Sequence, residues 1–427
     1  MEIFRERLAP QLITATLRKC GVRRRRPPLV STYKLIAGLV FHVVAGPGKL
    51  GAHVKQVTGK TITDGALSQR RALLPVEVFD ELLRAALAPK ADLKLHPDAF
   101  YQGLRLCGLD GSTFSVTNTP QVKTSMKKAR SRCGRAAFAK VGVVVMVELG
   151  LHNPLAAALG AQGESEMALA RRVMAQQPEQ SLQIGDRYYG VPALLVDLPQ
   201  TAQRHFLVRV KANRTRRLLE ILPDGSALVE IGSDDKKRQV REILARVQRG
   251  QSGKFTTVRL WTSLLDWKRC PASELVALYA RRWEQEMFYK ELKVDMRSMP
   301  SLQSHTPLTA MQEIAALIIA YAVLVDYRVE AAKVGEVGVL RISFLKTFEW
   351  IQGLWQFLEV SADLLGPDKI RQVVRRTLRK IAEAAIPKRR RRSCPRALRQ
   401  PVSSWPRLKK NTYKNGAIEY SVGKIYA

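Results

Sequence analysis

The sequence predicts an α/β protein: a sheet-bearing core entered through an all-helical segment and left through further helices and a basic tail. Three observations predict it. Apolar residues recur at three-to-four spacing through residues 1–90, strand-type segments take over at Leu104, and helical periodicity returns beyond residue 270.

In order, Arg7 to Cys20, Ser31 to Val44, Leu50 to Thr58 and Val76 to Leu87 carry the helical pattern. Between the last two, Gly59 to Asp64 forms a turn ahead of a short helix, Gly65 to Leu74, which gives a helix-turn-helix outline. Gln69, Arg70 and Arg71 lie on its second helix, and Gln and Arg are the side chains best suited to read adenine and guanine edges in two-pronged fashion. The plainer alternative is a small bundle with a solvated basic face.

Leu104–Val116, Gly142–Leu149 and Leu155–Leu159 read as three successive strands. Glu164–Gln177 is then a helix, Ser181–Asp186 a strand, Pro192–Leu198 a helix and His205–Val210 a fifth strand. Residues 212–270 interrupt this core with a turn at Pro223-Asp224-Gly225-Ser226 and short strands at Ala227–Ile231, Arg238–Leu244 and Thr256–Leu265. Helical pattern resumes over Pro307–Ala332, Ser343–Leu365 and Asp368–Ala385. The expected division is 1–95 helical, 100–330 core with its strand-rich insertion, 331–386 helical, and 387–427 a basic tail. That tail, with Lys388-Arg389-Arg390-Arg391-Arg392 and four prolines, is expected to be mostly disordered on its own.

Lys and Arg number 71 against 37 Asp and Glu, a formal charge of +34. The excess sits at the ends: +10 over residues 1–90 (16 basic, 6 acidic) and +15 over 366–427 (18 basic, 3 acidic). Such a surface favours a polyanion, bound through counterion release. The longest apolar run, Ile314 to Val325, has twelve residues between Glu313 and Asp326, too short to span a bilayer, and reads as a buried helix. The N-terminus shows no signal-peptide apolar region. Five scattered cysteines without a Cys-x2-Cys pair point away from zinc and disulfides and toward a reducing cytoplasm.

The most informative segment is Leu278 to Lys293. Tyr279, Arg282, Glu286 and Lys293 stand at offsets of three, seven and fourteen, which fall on one stripe of a helix with 3.6 residues per turn. A phenol, a guanidinium, a carboxylate and an ammonium running down an apolar surface reverse the usual amphipathic pattern. A surface ion pair, Arg282 with Glu286, is the alternative, but it leaves Tyr279 and Lys293 unexplained.

The pattern Tyr-x2-Arg-x3-Glu-x6-Lys resembles the signature of bacterial insertion-sequence transposases of the IS-four type, members of the DDE superfamily with a ribonuclease-H-like catalytic core. The strand and helix order from about residue 104 to 330 fits that core, and residues 212–270 occupy the slot where this family carries a strand-rich insertion. Leu109-Asp110-Gly111-Ser112-Thr113 resembles the first-aspartate motif. Ile184-Gly185-Asp186-Arg187 resembles the second, although Tyr188 and Tyr189 stand where Gly and Phe are usual.

Transfer of a DNA phosphodiester needs a nucleophilic oxygen, a stabilised leaving oxygen and neutralised charge at phosphorus. Two divalent ions held by carboxylates do all three, and hard cations such as Mg2+, with Mn2+ as a substitute, want oxygen ligands. Asp110, Asp186 and Glu286 are the expected ligands, with Asp110 bridging. Arg282 and Lys293 would hold phosphates, Arg as a fork and Lys as a point charge, and Tyr279 would add a hydrogen bond or a stacking face. Between Asp110 and Glu148 the chain has no acid and seven basic residues, including Lys127, Lys128 and Arg130, a loop suited to gripping phosphate without reading sequence.

The expected partners are double-stranded DNA, as element ends and target, and a second copy of the chain at least, since two ends must be joined; the expected place is the bacterial cytoplasm at the nucleoid, with no membrane. Two rivals are a catalytically dead, domesticated copy that binds DNA and a metal-dependent nuclease without strand transfer. The histidines are isolated in sequence, so no pattern for a tyrosine-nucleophile transposase is present.

Overall fold

The computed structural model describes residues 7–386, except 23–27, 47, 127, 129, 132–133, 161–163, 200–202, 234, 250–254 and 298–300, and beyond them three short strands. The amino-terminal helices are α1 (Pro10–Lys19), α2 (Thr32–Ala45), α3 (Leu50–Thr58), α4 (Asp64–Ala72) and α5 (Val76–Ala86). Thr63 caps α4 by accepting the Ala66 N–H at 3.2 Å, and Asp64 reaches back to the Gly51 N–H of α3 at 2.7 Å. This clasp fixes the expected helix-turn-helix pair.

The core strands are β1 (Leu104–Val116), β2 (Ala139–Glu148) and β3 (Asn153–Leu159), with α6 (Pro120–Ser125) in the loop after β1. Then come α7 (Glu166–Met174), β4 (Ser181–Gly185), α8 (Pro192–Leu195) and β5 (Arg204–Val210). Beyond them lie β6 (Arg217–Ile221), β7 (Ala227–Ser233), β8 (Lys236–Arg249) and β9 (Phe255–Thr262). The sheet order is β3-β2-β1-β4-β5-β9-β8-β7-β6. β1 pairs parallel with β4, and β4 parallel with β5, while β2 and β9 run antiparallel to their neighbours. The insertion therefore extends the core sheet through β9 rather than interrupting it. β6 escaped the sequence reading because its five residues are all exposed, leaving no alternation to detect.

Residues 272–295 are not one regular helix. They form α9 (Ala272–Tyr279), a 3-10 turn over Ala280–Arg282, α10 (Trp283–Lys290) and a π turn over Glu291–Asp295. The Met296 N–H bonds the Glu291 carbonyl at 3.1 Å, the i to i+5 step of a π turn. The stripe survives because residues three apart nearly eclipse in a 3-10 turn, which carries Tyr279 onto Arg282.

The closing helices are α11 (Pro307–Gly335), α12 (Phe344–Ser361) and α13 (Pro367–Glu383). By length and composition α11 could cross a membrane, but 83% of its most apolar window is buried inside the fold. It is the spine of one continuous core joining Leu39 of α2, Phe79 of α5, Val145 of β2 and Ile351 of α12. Among the described residues that core runs across residue 95, taking in Leu87 and Ala91 before it and Ala99 after it. Arg7 ties the two parts together, donating to Asp326 of α11 at 2.6 and 2.8 Å and to the Asn153 side chain at 2.9 Å, all out of solvent. Isolated in sequence, His42 and His53 nonetheless meet in space, Nδ1 to Nδ1 at 2.7 Å. Most of the expected disordered tail lies outside the described residues. Its Ile418–Val422 strand pairs antiparallel with the distal half of β8.

Candidate active site

The pleat of the sheet places the first two acids. Side chains alternate along a strand, so Leu106, Gly108 and Asp110 share the face of β1 that looks toward α9 and α10. Leu182 and Ile184 of β4 share the core of that same face, and Asp186 follows one residue past the end of that strand. Leu109 is in register with Gly185, the last residue of β4, so Asp110 on β1 and Asp186 just past the end of β4 come next, near enough that Asp186 helps push the Asp110 carboxyl up. Gly108 lets α10 come close: a Cβ there would overlap the Gln285 side chain. Gln285 itself donates to the Val145 carbonyl at 3.2 Å.

Asp110 is half-buried and accepts the Gly111 N–H at 2.9 Å. Burial pushes its carboxyl up to about 7, the Gly111 N–H and Arg282 pull it down, and Asp186 and Glu166 push it further up. Asp186 accepts the Tyr188 N–H at 2.6 Å in the turn that ends β4. Glu286 is turned to Arg282, Nη2 to Oε1 at 2.5 Å, so the ion pair considered as the plain alternative exists. The same guanidinium also feels Asp110, which makes it more than a surface pair. Although burial opposes its charge, Glu286, Tyr279 and Asp110 leave Arg282 above the ordinary value. Burial raises Tyr279 to about 12, against the pull of Arg282 and Arg209.

Lys293 emerges from the π turn. Its ammonium donates to the Ser112 Oγ at 3.0 Å and to the Thr113 carbonyl at 2.9 Å, and lies 5.3 Å from the centre of the Phe114 ring. Burial, with Arg297 and Lys140 nearby, lowers its pKa. The stripe thus runs along the strand that carries Asp110.

Among the described residues, no three acidic, histidine or cysteine side chains converge closely enough to hold a metal ion as they stand. Glu286 is drawn to Arg282, and Asp110 and Asp186 each take a backbone N–H. The donor chemistry nonetheless fits a hard divalent cation: all three are carboxylates, and Asp110 is raised by burial, with Asp186 and Glu166 adding to it.

The sequence reading missed Glu166, at the first turn of α7. It accepts the Tyr189 hydroxyl at 2.9 Å and packs over Gly111, where a Cβ would overlap its carboxyl group. Arg209 of β5, which acts on Tyr279, was missed as well. Only the Gly beside Asp110 hinted at Glu166, as a mark of close approach; nothing hinted at Arg209.

The DNA-contact expectations fare unevenly. Arg71 is corrected. Its guanidinium donates to the Thr309 carbonyl at 2.9 Å, Ser304 Oγ at 3.2 Å and Gln312 Oε1 at 3.3 Å, so it clamps α4 to α11 instead of facing a groove. Gln69 is exposed and Arg70 half-buried. The Lys128 ammonium caps the Ala137 carbonyl at 2.7 Å. Lys127 and the side chain of Arg130 lie outside the described residues.

An acid on β1, a second just past the end of its parallel neighbour β4 and a third among cations on the facing helix are the groups that metal-assisted phosphodiester chemistry calls for. The chain belongs to the transposase DDE domain family, whose model matches residues 102–323. It is 24% identical over 433 residues to the transposase InsG for insertion sequence element IS4 from Escherichia coli strain K12, covering 95% of this chain and 93% of that one. A solved structure, the piggyBac transposase synaptic complex with hairpin DNA, is similar at a TM-score of 0.43 and 10% identity, over 92% of this chain and 86% of that chain. That likeness is too slight to argue from.

Proposed function

We propose that this DNA transposase works by cut-and-paste: it binds the ends of its own insertion element, cleaves the strands there and joins the ends to target DNA through a ribonuclease-H-like core. The observation that carries the reading is the placement of Asp110 on β1 and of Asp186 just past the end of its parallel neighbour β4, beneath the helix bearing Tyr279, Arg282, Glu286 and Lys293.

Asp110, Asp186 and Glu286 would hold the divalent metal, Mg2+ or Mn2+ and two ions in our reading, which when bound activates the attacking oxygen and offsets charge on the leaving one. Arg282, released from Glu286, would grip a phosphate of the cleaved strand as a two-pronged donor, and Lys293 would offer a point charge beside it. Tyr279 would donate a hydrogen bond, since its raised pKa keeps the phenol protonated. The exposed Gln69 and the basic amino-terminal helices would recognise the element end, and a second copy would hold the other end. The setting is the bacterial cytoplasm.

The test uses the full chain with a duplex made from the inverted repeats that flank its gene, in Mg2+ or Mn2+. Asp110→Ala, Asp186→Ala and Glu286→Ala should each abolish cleavage while end binding stays within about threefold. A variant that cleaves within tenfold of wild type removes that residue from the set. Cleavage without joined product would make the chain a nuclease, and binding without cleavage by the wild type an inactive copy.

A further inference from the structure

His152 lies at the tip of the β2–β3 hairpin with a φ of +60°, fully out of solvent, and the mechanism makes no use of it. Both ring nitrogens are engaged by carboxylates of the signature segment: Nε2 with Glu284 Oε2 at 2.7 Å and Nδ1 with Glu291 Oε2 at 3.0 Å. Glu291 also accepts the Tyr321 hydroxyl at 2.5 Å and lies 3.6 Å from Arg328, both on α11. A buried carboxylate held by a cation, a phenol and an imidazole is a built arrangement, since an unpaired one would be very costly. Burial opposes charge on the imidazole, but Glu291 and Glu284 outweigh it and raise its pKa; Glu291 falls to about 2 despite burial, through His152 and Arg328.

Helix geometry gives this cluster its meaning. Glu284 and Glu291 are seven residues apart and share one face. Glu286 and Lys293 are also seven apart, and two residues of offset turn them about 200° away, onto the opposite face. Both pairs span the same stretch, which includes the change from α to π pitch at Glu291. A change of pitch moves whatever follows it, so the position of Lys293 relative to Glu286 depends on what holds that change in place.

We infer that His152 is a positioning residue for strand cleavage: by tying Glu284 to Glu291 across two turns, it fixes the α-to-π switch that sets Glu286 and Lys293 against the strand carrying Asp110. The inference rests on the proposed active site. His152 and Glu284 act through the helix that runs from Glu284 to Glu291.

The test measures single-turnover cleavage, end-binding affinity and melting temperature on the full chain, for His152→Asn and Glu284→Ala. Asn tolerates the left-handed turn but cannot bridge two carboxylates. Glu284→Ala leaves the buried His152–Glu291 pair whole and frees one end of the tie. Both variants should cleave at least tenfold more slowly while binding the element end within twofold of wild type. In the His152→Asn background, Lys293→Ala should cost several-fold less than it costs the wild type, because the ammonium is already displaced. That coupling is what a merely structural histidine would not produce. Folded variants that cleave within twofold of wild type, or a Lys293→Ala cost unchanged in the His152→Asn background, would overturn the inference. Should His152→Asn fail to fold, Glu284→Ala decides alone, with the same Lys293→Ala comparison made in its background. Glu286→Ala run in parallel separates the two readings. If it cleaves normally, the active site itself is misassigned; if it is dead while His152→Asn and Glu284→Ala are unaffected, only the positioning role falls.

Discussion

Tyr289 donates its hydroxyl hydrogen to the backbone carbonyl of Asp110 at 2.8 Å, fastening the helix that bears the glutamate to the strand that bears the first aspartate. Burial, with Asp110 and Glu166 nearby, holds this phenol well above its usual range, so it stays a donor at any working pH. Tyr289→Phe keeps the ring and removes only that bond. It should lower stability by about 1 kcal/mol and slow cleavage several-fold. A chemical-denaturation midpoint and a single-turnover rate check both, and an unchanged rate would show that other contacts already lock the helix in place.

Asp110→Asn should stabilise the metal-free protein at neutral pH. The folded carboxyl titrates near 7, above the ordinary value of 3.8. Between those values the unfolded state gives up its proton first, so the wild type loses stability as pH rises from about 4 to 7 and stays at the lower level above that. Removing the charge should recover on the order of 2–3 kcal/mol at pH 8, after discounting for partial solvent access, and much less at pH 5. Melting in chelator at the two pH values reads it. Adding Mg2+ should raise the wild-type midpoint and leave Asp110→Asn nearly still. A variant no more stable than wild type at pH 8 would mean that Asp110 is well solvated.

Arg71 and Gln69 of α4 should part company. Arg71→Ala breaks the clamp on Thr309, Ser304 and Gln312, leaving buried groups short of partners, and should cost about 1–3 kcal/mol of stability without changing sequence preference. Gln69→Ala should leave melting within about 0.5 kcal/mol and reduce the ratio of element-end to random-DNA affinity at fixed salt. A loss of preference in Arg71→Ala at full stability would return that residue to the DNA surface.

That contrast marks what the sequence discloses. Strand-type residues over Leu104–Val116 and three-to-four spacing in Leu50–Thr58 are local signals, so both elements appear where expected. The aspartates were legible because an acid within an apolar strand needs a reason. The destination of a long cation is not written locally. Arg71 reads as a base contact until α11, more than 200 residues later, supplies its acceptors. The π turn after α10 was equally hidden, since Glu291, where it begins, meets His152 and Tyr321 from other elements. Glu166 was hidden for the same reason: its meaning comes from the strand it covers.

Arg282 should act on metal and on DNA in opposite senses. In the structure its guanidinium holds Glu286 at 2.5 Å and feels Asp110, so it occupies a carboxylate that the proposed site needs for the cation. Arg282→Ala removes that competitor along with a positive charge, and Mn2+ affinity measured by titration should tighten, by about two- to tenfold, since two nearby charges in a half-buried site interact by roughly a kcal/mol or more. Cleavage should nevertheless fall at least tenfold, because the phosphate loses its two-pronged donor. Arg282→Lys separates the two effects. Its ammonium restores most of the charge, so metal affinity should return toward wild type, but a point charge cannot reproduce the fork, and cleavage should recover only in part. A silent Arg282→Lys, together with unaltered metal affinity in Arg282→Ala, would reduce the contact to a helix-surface ion pair worth a few tenths of a kcal/mol.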